Sequence, residues 1–464
     1  MKSEEVSLLT RLTALVAVFF MMFTLGYIGS QGNISPYIIS YLRKYVDPSI
    51  HNSHAVWLAA AALSSQGVVM PVSGLLIHRL GFRVILFVSF VLFSGGILLS
   101  YLTIKTNFGS FLLTQCLMLG AGLGCCYSHL LSLAAFWFPK QRGFVVGLCV
   151  CAFGAGAIVL TPVQTVLINP TNICVNNETQ MFEDEDLLHR VPRAFLIIGG
   201  VLAGIQLISC LLMRPKPSTD NASIEIQSVS SDLQNDTPDD FDKSPTEKEI
   251  HPKQLFKIPD IYILWSIMFL SLFPLTLVIS AIKIIGQAWI ADDAYLSIVA
   301  TIGAVINAVS RMAWGPVGDA LSFKVPLCIN SLLYTTVLIT FPYVIAIPTA
   351  GRYLYGVWVV LLYNSIGGYF VLLPFAVSRA FGHKHFAANY GIVFTSFVPG
   401  GIIGAVIVAT ITLEYHTRDI FIVCGCTTLL VAVMACALKD EKAPKWCRTR
   451  WLRSDKANID AVAS

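Results

Sequence analysis

Twelve stretches of about twenty mostly apolar residues recur along the chain, separated by short polar connections, and no other feature limits the fold so strongly. About 20 apolar residues is the length at which an α-helix crosses the hydrocarbon of a bilayer. The runs lie roughly at 12–31, 55–77, 83–104, 109–137, 144–168, 194–213, 260–283, 295–318, 325–347, 351–379, 390–412 and 419–438. They are continuous, which excludes barrel strands of about ten residues that alternate apolar and polar. Charged residues make up 12% of the 464 positions, against about 25% in a soluble globular chain. The expectation is an all-α integral membrane protein with twelve transmembrane helices. The first run lacks the small-residue cleavage site of a signal peptide and continues into GNISPYIISYLRKY, so it reads as a retained helix.

The charges between the runs orient the chain. Arg79 and Arg83 follow the second run, Lys140 and Arg142 the fourth, Arg379 and Lys384 the tenth, and Lys439, Lys442, Lys445, Arg448 and Arg450 are among those after the last. Basic loops mark the cytoplasmic side, so both termini are expected there in a multi-pass protein, with the plasma membrane favoured over an organellar one. The acidic loop Glu183-Asp184-Glu185-Asp186 falls outside, beside a glycosylation sequon at Asn177-Glu178-Thr179. Residues 214–257 are rich in Ser, Asp, Lys and Pro and poor in aromatics, a composition that cannot bury a core and reads as a disordered linker. The chain therefore divides into a first half, 1–213, the linker, a second half, 258–438, and a cytoplasmic tail, 439–464. Most of the 12 cysteines fall inside apolar runs, where cysteine behaves as a small hydrophobe. Only Cys174 lands in an outer loop, and neither a disulfide framework nor metal-ligand spacing is expected.

The halves repeat. GLLIHRLGFR (Gly74 to Arg83) follows the second run and GPVGDALSFK (Gly315 to Lys324) the eighth, with the glycines 241 positions apart. FPKQRGFVVG (Phe138 to Gly147) follows the fourth and FGHKHFAANYG (Phe381 to Gly391) the tenth, 243 positions apart. A parallel repeat of six-helix halves belongs to transporters whose substrate site lies between the halves near the midplane.

With that repeated loop, the chain resembles the major facilitator superfamily. The second copy keeps Gly315, Asp319 and Lys324 of the family's gating signature; the first keeps Gly74, Arg79, Gly81 and Arg83 but has His78 where an acid is expected. Residues 122–156, GLGCCYSHLLSLAAFWFPKQRGFVVGLCVCAFGAG, are similar to the oxalate/formate antiporter and monocarboxylate transporter families, and so is 286–319. The resemblance implies alternating access and an arginine in helix 8 that binds substrate carboxylate, here Arg311. It also marks two departures. Oxalate transporters carry a lysine in helix 11, where this chain has Phe397, which favours a single carboxylate over a dicarboxylate. Proton-coupled monocarboxylate transporters carry an aspartate one turn before the arginine, where this chain has Asn307, which cannot titrate.

Read from the residues alone, Arg311 is the leading candidate. An arginine inside a span costs about 2.5–3.5 kcal/mol and should face a cavity or a partner, and its planar fork suits a carboxylate. The alternative is a pairing near the membrane surface with Asp319 or a lipid phosphate. Lys283, at the end of the seventh run, either attracts the anion or snorkels to the interface. His129 is a candidate proton carrier or a packed histidine. Tyr27, Ser30, Gln31, Asn33, Ser65 and Gln66 either line the cavity or bind helix to helix, with Tyr127 and Tyr369 as aromatic walls. The function expected is transport, secondary active or facilitative, of small organic anions, monocarboxylates first. The alternatives are a neutral or zwitterionic solute, or a non-transporting receptor on the same scaffold. The spans hold no clustered acids or histidines of catalytic spacing, so no enzyme, cofactor, metal or nucleic-acid partner is expected, and a monomer suffices.

Overall fold

A computed structural model describes residues 8–51, 54–138, 141–171, 173, 176, 181–213, 250–287, 289–290, 293–348, 350–410 and 413–440. The 214–249 part of the linker, the sequon, Cys174 and the basic tail beyond residue 440 lie outside the described residues. Twelve helices are long and apolar enough to span a bilayer. In the first half these are α1 (Leu9–Tyr45), α2 (Trp57–Ile77), α3 (Phe82–Thr103), α4 (Phe108–Trp137), α5 (Arg142–Ile168) and α6 (Glu185–Leu212). In the second they are α7 (Pro259–Val278), α8 (Ile298–Leu321), α9 (Lys324–Ile345), α10 (Gly351–Phe381), α11 (Phe386–Gly404) and α12 (Thr417–Ala437). No strand occurs among the described residues. The end of the bundle where α1 begins and α12 finishes is called the terminal face below.

The repeat is visible in the packing. In the first half α1 packs on α5 and α6, α4 on α2 and α3, and α3 on α6; each pair recurs six helices later, as α7 with α11 and α12, α10 with α8 and α9, and α9 with α12. The outer helices turn apolar side chains outward, with Phe87 of α3 at 62% exposure and Leu211 of α6 at 78%. Such residues would be untenable in water in this number, and they match a surface solvated by lipid.

The halves meet chiefly along α2 with α11 and α5 with α8, with lesser contacts of α4 with α11 and α5 with α10. On the terminal face both main contacts are backbone-close. A Cβ on Gly143 would stand 2.4 Å from the Gly315 carbonyl oxygen, and one on Gly74 2.5 Å from Ala388 Cα. These separations leave no room for any side chain, so the signature glycines are there for contact between halves.

Three boundaries differ from the sequence reading. The first run was expected to end near residue 31, yet helix continues through a 3-10 stretch, Gly26–Ser30, into Gln31–Tyr45. The continuation is held by Ile34, Ile38 and Leu42, three residues spaced four apart with no more than 1% exposure, and by Tyr37 stacked on Phe182 at 4.6 Å. The seventh run extends as helix to Gln287. The eleventh starts at Phe386 and is interrupted at Thr395-Ser396, where Thr395 Oγ1 accepts a hydrogen bond from Trp265 Nε1 at 2.9 Å. The same hydroxyl, held by Trp265, donates to the Ile392 carbonyl at 2.7 Å, and a side chain bonded to its own backbone competes with the helix ladder at this position.

Candidate functional site

Arg311 lies two-thirds of the way along α8 with 5% of its surface exposed. Its Nη1 donates to the Val150 carbonyl of α5 at 2.9 Å, across the boundary between halves, and its Nη2 donates to Asn307 Oδ1 at 2.8 Å. Gly154 packs beside this bond, where a Cβ would stand 3.4 Å from Nη1, at ordinary contact distance. The guanidinium sits over the Phe370 ring at 4.6 Å. Arg311 Nε has no partner, and no carboxylate of a described residue lies within ion-pair distance of the side chain.

Aromatic side chains surround this cation. Tyr127 of α4 is its near neighbour, set edge-on to Phe153 at 5.7 Å and 6.3 Å from Phe394. Phe394 stacks flat on Phe397 at 4.0 Å. Phe370 also lines a small, mostly apolar cavity of about 20 Å³ whose wall is made by Met268, Leu272, Ile366 and Leu373 with Tyr334 and Tyr390, a volume of about one water. The Tyr369 hydroxyl donates to Ser331 Oγ at 2.8 Å. The hydroxyls of Tyr334 and Tyr390, both fully buried, have no partner. A buried unsatisfied donor costs about 1–3 kcal/mol, so this region has donor capacity that an anion or a water would relieve. Tyr334, Phe370 and Tyr390 were not singled out in the sequence, because an aromatic inside an apolar run is indistinguishable there from packing.

The other candidates are distributed. Asn307 bonds Arg311 directly, whereas Tyr369 lines the small cavity with Phe370 and bonds Ser331 of α9. Gln31 is placed in its own half, donating to the Gln115 carbonyl at 3.4 Å, while Gln115 Nε2 donates to the Tyr27 hydroxyl at 2.9 Å. Ser30 accepts from Gln164 Nε2 at 2.6 Å, Asn33 bonds Thr161, Gln164 and Thr165, and Ser65 donates to the Leu117 carbonyl. This set binds α1, α2, α4 and α5 to one another. His129 is buried against Ser73 Oγ of α2 at 3.3 Å. Lys283 is in the last two turns of the helix continuing α7, and its side chain is outside the described residues.

The gating loops bear on the terminal face. Asp319 accepts from the backbone N–H groups of Gly143 (2.8 and 3.1 Å) and Phe144 (3.2 Å), so a carboxylate at the end of α8 caps the start of α5. That engagement, with Arg311 committed to Val150 and Asn307, removes the pairing of Arg311 with Asp319 that the sequence left open. Arg79 and Arg83 are exposed. Lys324 is buried, with its backbone N–H 3.5 Å from Asp440 Oδ2. The ten described cysteines are all free thiols.

Comparison with known proteins places this geometry. The chain is 25% identical over 413 residues to the apicoplast pyruvate carrier 1 of Toxoplasma gondii, covering 82% of this chain and 74% of that protein. It is 21% identical to the oxalate:formate antiporter of Oxalobacter formigenes, over 68% of this chain and 66% of the other. Its fold matches the E. coli fucose:proton symporter with a TM-score of 0.64 at 14% identity, over 91% of this chain and 97% of that one. The sequence model of the Major Facilitator Superfamily matches residues 12–273 and 264–453, and with both halves, the repeat and the gating loops in place, the chain belongs to that superfamily of transporters.

Proposed function

We infer that the protein carries small organic anions, monocarboxylates in particular, by rocking its halves about a central site anchored on Arg311. The observation that carries this reading is a buried guanidinium bonded only to neutral acceptors, with one N–H unpaired. Burying a cation without a counter-ion costs several kcal/mol, and an anionic substrate offsets that cost whenever it is bound. Phe397, where oxalate transporters carry lysine, is stacked on Phe394, so that position supplies no cation to a second carboxylate. The names of the two relatives, a pyruvate carrier and an oxalate:formate antiporter, support an organic anion.

Asn307 holds Arg311 through a neutral oxygen, so this pair offers no site for a coupled proton. The Lys and Arg of the loops support a cytoplasmic terminal face. The test is uptake of a labelled carboxylate panel into proteoliposomes, wild type beside Arg311→Ala and Arg311→Lys. Saturable monocarboxylate uptake, lost in the alanine variant and partly kept in the lysine variant, is the expected result. Wild-type uptake by a folded Arg311→Ala protein overturns the anchor and turns the search to neutral or zwitterionic solutes.

A further inference from the structure

A second cavity, of about 280 Å³, lies on the terminal face between the halves. Ser132, Phe136 and Arg142 line it from α4 and α5, and Ser378, His383 and Phe386 from α10 and its connection to α11. Its volume is near the lower end of the range of ligand pockets, about 300–1,000 Å³, and suits a solute of a few heavy atoms.

The polar groups in its wall form a chain. Arg142 Nη1 contacts His383 Nε2, and His383 Nδ1 is 2.7 Å from Ser378 Oγ. Arginine can only donate, so Nε2 is the acceptor and the imidazole proton is on Nδ1, directed at Ser378. Gly382, with φ of +86°, forms the turn that brings His383 back under α10. The imidazole thus reaches from the second half to hold a cation of the first by a neutral acceptor. A bond from a guanidinium to an ionised acceptor is roughly twice as strong as one to a neutral acceptor, so a carboxylate in the cavity competes favourably for Arg142.

We propose that this cavity is a second binding station for a small organic carboxylate on its way to or from the terminal face, with Arg142 as its cation and His383 as the group displaced. The inference rests on the organic-anion reading above. Because Arg142 and His383 belong to different halves, a carboxylate that takes over Arg142 also releases one contact that closes this face. The Asp319 cap on α5 and the Gly143–Gly315 crossing stay in place, so the face stays closed and the bound anion shields residue 132. Ser378 supplies a hydroxyl to the same volume.

The test uses the full chain in lipid nanodiscs with Ser132→Cys as reporter. Alkylation at residue 132 by N-ethylmaleimide is read by peptide mass spectrometry, with pyruvate or acetate against chloride at equal ionic strength. Millimolar carboxylate is expected to slow alkylation at least fivefold in this background and in its Arg311→Ala derivative. Arg142→Gln should abolish the protection, and Arg142→Lys should retain part of it, which separates loss of the cation from loss of the fold. Absence of protection, or equal protection in Arg142→Gln, overturns the station. Protection that vanishes in Arg311→Ala overturns it as a separate site and assigns the effect to the central one. The central reading fails on a different result, unchanged uptake by Arg311→Ala, so the two failures are distinguishable.

Discussion

Replacing Arg311 by alanine leaves the Val150 carbonyl and Asn307 Oδ1 without their donor, and takes the cation from whatever anion binds there. Removing one partner of a buried charge pair costs about 2–5 kcal/mol, which at about 1.4 kcal/mol per tenfold is a loss on the order of a hundredfold in affinity; equilibrium binding of labelled pyruvate checks it. Asn307→Asp tests the neutral contact. A carboxylate at that place pairs with Arg311 whenever it is ionised and so competes with substrate. Uptake by this variant should be low at neutral pH and rise as the pH falls and the new acid takes up its proton, and a flat pH profile would mean that the Asn307 contact is irrelevant to binding. Arg311, Asn307 and Tyr127 were legible in the sequence because a polar atom inside an apolar run is costly and stands out. Tyr334 and Tyr390 were not, since a buried phenol becomes informative only when its hydroxyl is found without a partner.

Among the elements, α5 and α8 show how one short sequence serves two purposes. Asp319 looks in the sequence like the acid of a gating loop; in the structure it caps a helix of the other half. A capping side chain contributes about 1 kcal/mol, so Asp319→Ala is expected to lower thermal stability slightly and to speed alkylation of Ser132→Cys by loosening the terminal face. Gly315→Val acts on the same contact by volume, since any Cβ there would meet the Gly143 carbonyl oxygen at 2.3 Å. It should open the terminal face and raise the alkylation rate several-fold; a rate equal to wild type would show that this crossing does not close the face. The extension of α1 to Tyr45 and the break of α11 were less legible. Both depend on a neighbour, Phe182 in one case and Trp265 in the other, that is more than a hundred residues away in sequence.

For the molecule as a whole, the two-fold repetition has a consequence for energetics. A single anion carried past a site without a titratable partner moves one net charge, worth about 2.3 kcal/mol per 100 mV across the membrane. With anion present outside only, uptake of labelled pyruvate is expected to accelerate under an inside-positive potential and to ignore an imposed pH gradient. Stimulation by an inward proton gradient at zero potential would instead place a proton carrier elsewhere, and His129 would be the first residue to examine.

Span count, helical class and the repeat were determined by sequence alone, because they follow from local quantities: the length of apolar runs set by bilayer thickness, and the spacing of matching loops. The same reasoning located Arg311, since the cost of a charge in hydrocarbon is a local cost. Which faces meet was decided only by the tertiary structure. The closure of Gly143 on Gly315, the grip of Arg311 on Val150 and the cavity between Arg142 and His383 each join residues of both halves. Their energies depend on separations of a few ångströms between groups 161 to 241 positions apart in the chain, and no periodicity along the sequence encodes those separations.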